Sequence, residues 1–210
     1  MGRYEELMEA FAACRERAGS HRLTLGEAFE RLKESGFAFV CILQALPFLQ
    51  PVALGPVSTV LGLSLAALGW QMARGRSSPW LPSRVAAWAP SPAVWRRLFG
   101  TAGKTLGLCR RFTRRRLSSW VAGERGRRTG GVLIVLAGLL VSVPLVGVPF
   151  SNALPALAVV FVALGELEED GLMLVVAAGA LVLTVLYFAT LAILLAWAGG
   201  AAFERLGLPG

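Results

Sequence analysis

The chain has 210 residues, of which 55% are hydrophobic and 16% charged, and its mean hydropathy is +0.62. An ordinary soluble domain carries about 25% charged residues, and a chain of this length encloses too little interior to hide so much apolar surface. The composition therefore excludes a soluble fold and predicts an all-α integral membrane protein, with apolar tracts at 36–73, 130–165 and 172–203.

Residue types that support catalysis or metal binding are scarce. His21 is the single histidine, and Cys14, Cys41 and Cys109 lie far apart without a CxxC pair, so neither a zinc site nor a disulfide framework is indicated. The apolar tracts before Glu166 contain no acid, base or histidine. We therefore expect neither an enzyme, nor a cofactor, nor a metal site.

Residues 1–35 form a polar N-terminal region with six basic and seven acidic side chains. Residues 4–18 and 25–35 are typical of amphipathic helices, and Thr24 with Glu27 has the spacing of a capping box. Gly36 is expected to end the second helix. No apolar signal-peptide core is visible here, so insertion is expected to rely on the internal segments.

The first apolar tract, residues 36–73, is interrupted by prolines and glycine. The breaks are Pro47, Pro51, Gly55 and Pro56, which remove backbone donors or free the local dihedrals. Helices over 37–49 and 57–73 would be about 20 and 25 Å long, short of the roughly 30 Å hydrocarbon core. The tract predicts a broken helical hairpin that is either re-entrant or just spanning.

Residues 74–129 carry the basic excess. From 74 to 128 there are fourteen Lys or Arg side chains and one acid, a local balance of +13 in a chain whose net charge is +8. The positive-inside rule places this segment in the cytoplasm.

Within the basic segment, Ser91-Pro92 begins a predicted basic amphipathic helix at the membrane interface. Trp88, Trp95 and Trp120 are expected near the headgroups. The arginines expected to contact anionic lipid are Arg110, Arg111, Arg114, Arg115 and Arg116. Tethering between apolar tracts favours lipid over nucleic acid as their partner.

Residues 130–171 contain a second broken hairpin. Its breaks are Pro144, Pro149 and Pro155. Aligning Pro47 with Pro144, and 67–69 with 163–165, needs one single-residue gap. The two hairpins therefore predict an internal repeat, although any two proline-broken hairpins look alike. Paired broken segments indicate a transporter-type site at the repeat interface.

Four acids, Glu166, Glu168, Glu169 and Asp170, follow the second hairpin. Glu166 and Glu168 are candidates for an ion or proton site; alternatively the acids cap the next helix. Residues 172–210 begin with an unbroken apolar stretch that predicts a long C-terminal transmembrane helix. Because each hairpin returns to the side it left, the N-terminus and both loops are expected in the cytoplasm and the C-terminus on the opposite side.

Several motifs together resemble the ExoD family of bacterial membrane proteins. They are Leu23-Thr24-Leu25-Gly26-Glu27-Ala28, Gly55-Pro56-Val57-Ser58-Thr59-Val60-Leu61-Gly62, Pro79-Trp80-Leu81-Pro82 and Pro149-Phe150-Ser151-Asn152-Ala153-Leu154-Pro155-Ala156. The resemblance covers about residues 20 to 200. It implies a multi-pass protein of the bacterial inner membrane that is linked to exopolysaccharide production, and it supplies no catalytic residues.

Two functions remain open at this point. In the first, the chain is a small transporter whose hairpins meet at the midplane, with a substrate site built from Gln44, Ser58, Thr59, Ser151 and Asn152. In the second, it is a non-transporting assembly factor for a polysaccharide-synthesis complex. The expected partners are membrane lipids, polysaccharide-synthesis proteins and a second copy of the chain.

Overall fold

A computed structural model describes residues 8–9, 12–14, 16, 22–32, 35–49, 55–76, 78–109, 121, 123–145, 148 and 150–205. These residues contain helices and no strand, as the sequence predicts. The helices are α1 (Leu25–Leu32), α2 (Ser35–Ala45), a 3-10 turn (Leu46–Leu49), α3 (Pro56–Ala73), α4 (Ser83–Ala86), α5 (Pro92–Cys109), α6 (Gly123–Ser142), α7 (Ala153–Glu168) and α8 (Gly171–Arg205).

The helix boundaries confirm most of the sequence pattern and correct two points. Both apolar tracts divide at their proline breaks, and the capping box forms, since the Glu27 amide donates to Thr24 Oγ1 and the Thr24 amide to Glu27 Oε2. Gly36, however, lies in the first turn of α2 rather than ending a helix. The helix α6 begins at Gly123, so the charged residues before 130 belong to the same helix as the apolar ones.

The central contact of the fold is an antiparallel pairing of α3 with α6. Gly62 of α3 faces Gly138 of α6, and Gly69 faces Gly131. The two glycines on each helix are seven residues, or one heptad, apart. A Cβ atom at Gly62 would lie 2.5 Å from the Ser142 amide nitrogen, and one at Gly69 would lie 2.7 Å from the Gly131 carbonyl oxygen. Only glycine allows the two backbones to approach this closely.

The helix α2 forms the core. It is apolar on all sides and is buried from Gly36 to Ile42, as expected of a helix enclosed by others. It packs mainly against α7, and α7 in turn packs against α8. The helices of the first predicted hairpin, α2 and α3, therefore contact each other less than they contact the second hairpin.

Two of the described helices are long and apolar enough to cross a membrane by length and composition, over Pro56–Ala73 and Gly171–Ala198. Large apolar side chains are exposed on their outer faces, including Val60, Leu63, Leu186 and Leu194. Lipid would cover such surfaces, and together with the long apolar tracts they point to a membrane protein.

The N-terminal region and α5 form one packed unit. Trp95 on α5 is only 1% exposed; its indole Nε1 donates to the Leu23 carbonyl at 3.1 Å, and its ring stacks on Phe99. Phe99 stacks in turn on Phe39 of α2. The expectation that Trp95 lies near lipid headgroups is therefore wrong, because its side of α5 faces protein. Trp88 is exposed, and Trp120 lies outside the described residues.

Candidate functional site

The two proline breaks lie at the same end of the helix bundle. Because α3 and α6 are antiparallel, the start of α3 meets the end of α6, where Thr59 Oγ1 donates to the Ser142 carbonyl at 3.0 Å. The 3-10 turn after α2 packs against α7, which begins at this end. We call this region the break end; it brings together residues from both apolar tracts.

The break residues take different positions. Gly55 is the N-cap of α3 with a positive φ of 53°, and Pro56 is the first residue of the helix, where its missing donor costs nothing. Pro155 is buried in the first turn of α7, Pro47 is half-buried in the 3-10 turn, and Pro144 is exposed. Pro51 and Pro149 lie outside the described residues.

Two predicted site hydroxyls bond to backbone at the breaks. Ser58 is 1% exposed and its Oγ donates to the Gly55 carbonyl at 2.7 Å. Ser151 is 3% exposed and its Oγ donates to the Val148 carbonyl at 3.0 Å. Each hydroxyl thus bonds to the backbone carbonyl three residues before it, and its oxygen can still accept a hydrogen bond. The Gly55 carbonyl also accepts from the Ser58 amide.

Gln44 and Asn152 complete the predicted set. Gln44 Oε1 accepts from Ser64 Oγ at 2.6 Å, which links α2 to α3. Asn152 precedes α7 but makes no side-chain capping bond, and its buried Oδ1 has no hydrogen-bond partner among the described residues. A buried amide oxygen of this kind usually has an explanation, such as a bound ligand or water. Asn152 is therefore the most suggestive polar group at the break end.

The acidic residues lie at the opposite end, about 21 Å from Asn152 along α7. Glu166 is 5% exposed and lines a small cavity with Arg127 of α6, Met72 of α3 and Leu174 of α8. The Arg127 guanidinium also donates to the Arg76 carbonyl. We call this region the charged end. That Glu166 and Arg127 line the same cavity was not predicted from sequence, because they are far apart in the chain.

The other acids are explained in part by helix capping. Asp170 is buried and its Oδ1 accepts from the Leu172 amide at 3.1 Å, which caps α8. Glu169 ends α7 in the left-handed conformation with φ 54°. Glu168 is half-buried in the last turn of α7. The structure therefore separates the predicted ion-site acids from the predicted substrate-binding residues.

The chemistry of the break end is that of neutral hydrogen bonding. No Asp, Glu, Lys, Arg or His occurs in 44–64 or 139–158, and no group of three metal-ligating side chains was found among the described residues of the chain. The starts of α3 and α7 both lie here, and helix N-termini carry partial positive charge. The predicted lipid-contacting arginines, from Arg110 to Arg116, lie outside the described residues.

Comparison with known proteins identifies relatives of the chain. Residues 5–190 match a family model described as "Exopolysaccharide synthesis, ExoD". The chain is also 35% identical over 172 residues to Protein ExoD of Rhizobium meliloti (strain 1021), a match that covers 80% of this chain and 70% of that protein. No solved structure matches the chain.

Proposed function

Because the chain belongs to the ExoD family, which is linked to exopolysaccharide synthesis, we propose that it is a small transporter of an ion or of a lipid or sugar precursor. Its site is the break end, where Gln44, Ser58, Thr59, Ser151 and Asn152 offer hydrogen-bonding groups. The two hairpins form an internal repeat and re-enter the membrane. The role is not enzymatic.

The observation that carries this proposal is the meeting of both breaks at one end of the bundle. The bond from Thr59 to the Ser142 carbonyl joins the two hairpins there, and Asn152 contributes a buried oxygen with no described partner. Interrupted helices that converge from two halves of a chain are a recurring way to build a transport site. Polar groups within a membrane are costly and therefore favour a functional role.

The proposed location is the bacterial inner membrane, with the basic segment in the cytoplasm. The large excess of Lys and Arg in residues 74–128 supports this orientation through the positive-inside rule. Arg74 stacks over the exposed Trp70 ring at 4.7 Å, and a Trp and Arg pair of this kind suits the headgroup layer.

Flux measurements test the proposal. The purified protein is reconstituted in liposomes and assayed with protons, sodium and labelled lipids, with Asn152→Ala as the site variant. We expect flux of at least one of these substrates and a lower rate in the variant. Folded protein that moves none of the panel would contradict the proposal.

A second function, a non-transporting assembly factor, is favoured by a different observation. The far half of α8 exposes Ile193, Leu194, Leu195 and Trp197, a surface that could bind the membrane helices of a polysaccharide-synthesis enzyme. On this function Asn152→Ala has little effect, whereas neutralising Arg114, Arg115 and Arg116 weakens recruitment. A pull-down from membranes that recovers no membrane protein would count against it.

A further inference from the structure

The helix α8 continues well past the break end. Its first half packs mainly on α7, and Leu174, Ala177, Leu181 and Thr184 in this half are buried. From Ala189 to Ala198, by contrast, every side chain is exposed except half-buried Leu191. About ten residues, or about 15 Å of apolar helix, therefore project beyond the part of the bundle that the structure describes.

The position of the breaks along α8 follows from antiparallel packing. A Cβ atom at Gly165 of α7 would lie 2.6 Å from Leu174 Cδ1 of α8, so these two residues share a level. Asn152 is about thirteen residues before Gly165 and therefore lies beside about residue 187 of α8, close to where burial ends. The bond between Thr59 and Ser142 lies at a similar level, since α6 and α7 are joined at this end.

Tryptophans mark two levels about one hydrocarbon thickness apart. Met72 and Gly130 share a cavity with Leu174, which places the exposed Trp70 beside about residue 176 of α8. From there to Trp197, which is 75% exposed, is about 32 Å of helix, close to the roughly 30 Å of a hydrocarbon core. Exposed tryptophans at both boundaries are typical of membrane proteins. Asn152 lies about halfway between them.

From this geometry we infer that the break end lies near the middle of the bilayer and binds the anionic headgroup of an amphiphile, whose apolar chain lies in the far leaflet along α8. The inference rests on the proposed transport function and names its substrate class. A bundle that ended at the far surface would instead leave the apolar residues 189–198 in water.

The ligand class follows from the surroundings of the site. On its far side the described chain offers only the apolar surface of α8, so an apolar chain fits there and a hydrated ion does not. The N-termini of α3 and α7 both face this region, and such termini favour anionic groups. The buried Oδ1 of Asn152, which has no described partner, can accept a hydrogen bond from a hydroxyl of such a headgroup. No fixed charge in 44–64 or 139–158 competes with the headgroup.

The depth of the break end in the bilayer is tested with a spin label on Phe150→Cys, since Phe150 is 69% exposed at the break end. Cys14 and Cys41 are buried, Cys109 is replaced by Ser, and the unsubstituted protein gives the background. We expect the label to be accessible to oxygen and shielded from a water-soluble relaxant, as at Leu186→Cys. An aqueous signal like that of Arg74→Cys would overturn the inference.

Ligand class is tested in liposomes with fluorescent phosphatidylglycerol, fluorescent phosphatidylcholine of the same chain length, sodium and a free hexose phosphate. We expect phosphatidylglycerol to cross fastest and Asn152→Ala to slow it about tenfold, the effect of one lost hydrogen bond between Asn152 Oδ1 and a headgroup hydroxyl. Thr190→Val is the matched control, because Thr190 lies at similar depth on α8 and its hydroxyl bonds to the Leu186 carbonyl. This variant should transport normally.

The outcomes separate the inference from the proposed function. If sodium or hexose phosphate crosses and phosphatidylglycerol does not, the amphiphile is wrong as the substrate class, but the proposed transport function stands. An equal rate for the two lipids would overturn the preference for an anionic headgroup. No movement of any probe by folded protein would overturn both.

Discussion

At the scale of single residues, most predicted site hydroxyls have a visible structural role. Ser58 and Ser151 donate to carbonyls at their own breaks, as Ser beside an interrupted helix commonly does. Asn152 differs, since its buried oxygen has no described partner. Substitution of Asn152 therefore distinguishes a role in transport from a purely structural role at the helix break.

Trp95 gives a residue-scale prediction of stability. Replacement by Phe keeps an aromatic ring to stack on Phe99, whose centroid is 4.9 Å away, but removes the donor to the buried Leu23 carbonyl. We expect Trp95→Phe to lower the free energy of unfolding by about 1 to 3 kcal/mol, the cost of one unsatisfied buried group. Thermal unfolding in detergent measures the change.

Trp88→Phe is the matched control, because the Trp88 ring is 57% exposed and its hydrogen bond from the Leu25 amide uses the backbone carbonyl. Its effect should stay below about 0.5 kcal/mol. Equal losses in the two variants would show that the indole bond of Trp95 contributes nothing specific.

At the scale of helices, the pairing of α3 with α6 depends on glycine. We expect Gly69→Ala to lower the free energy of unfolding by about 2 kcal/mol or more, because the new methyl group meets backbone atoms at 2.7 Å that cannot move aside. Gly179→Ala on α8 is the control, since a Cβ there meets nothing within 4 Å. It should be neutral or stabilising by up to about 1 kcal/mol. Thermal unfolding in detergent compares them, and similar stability in both variants would contradict the close helix contact.

The helices were predictable because prolines and apolar runs are local signals. The breaks at 47–56 and 144–155 and the capping box at Thr24 all have such signals. The choice of which helices pack together has no such local signal. The heptad spacing of Gly62 with Gly69 and of Gly131 with Gly138 was present in the sequence, but nothing local shows which helix each pair faces. The prediction that the Trp95 side of α5 faces lipid is wrong for the same reason, since an aromatic stripe suits lipid and protein equally.

At the site, the sequence indicated the break residues but not their relations. The bonds from Thr59 to Ser142 and from Ser64 to Gln44 join residues of different helices, and such pairs depend on tertiary packing. The sequence placed Glu166 after the second hairpin, but it did not show how far Glu166 lies from the predicted substrate residues. The separation of the charged end from the break end follows from the length and direction of α7.

At the scale of the whole molecule, the remaining prediction concerns the side on which each loop lies. The break end and the charged end lie at opposite ends of α3, α6 and α7, so residues 74–76 and the end of α7 lie on one side of the bundle. We expect each hairpin to return to the side of the membrane that it left, whether it re-enters or spans. We also expect α8 to start at that side and to cross the membrane once.

We therefore expect a membrane-impermeant maleimide to label Arg76→Cys and Glu168→Cys from the cytoplasmic side only, and Arg205→Cys from the opposite side only. Right-side-out and inside-out vesicles give the comparison, and Cys109→Ser removes a competing thiol. Labelling of Arg76→Cys and Glu168→Cys from opposite sides would mean that the second hairpin crosses the membrane once. In that case α7 could not lie beside α6, so the accessibility of these two positions also tests the packing of α7 against α6.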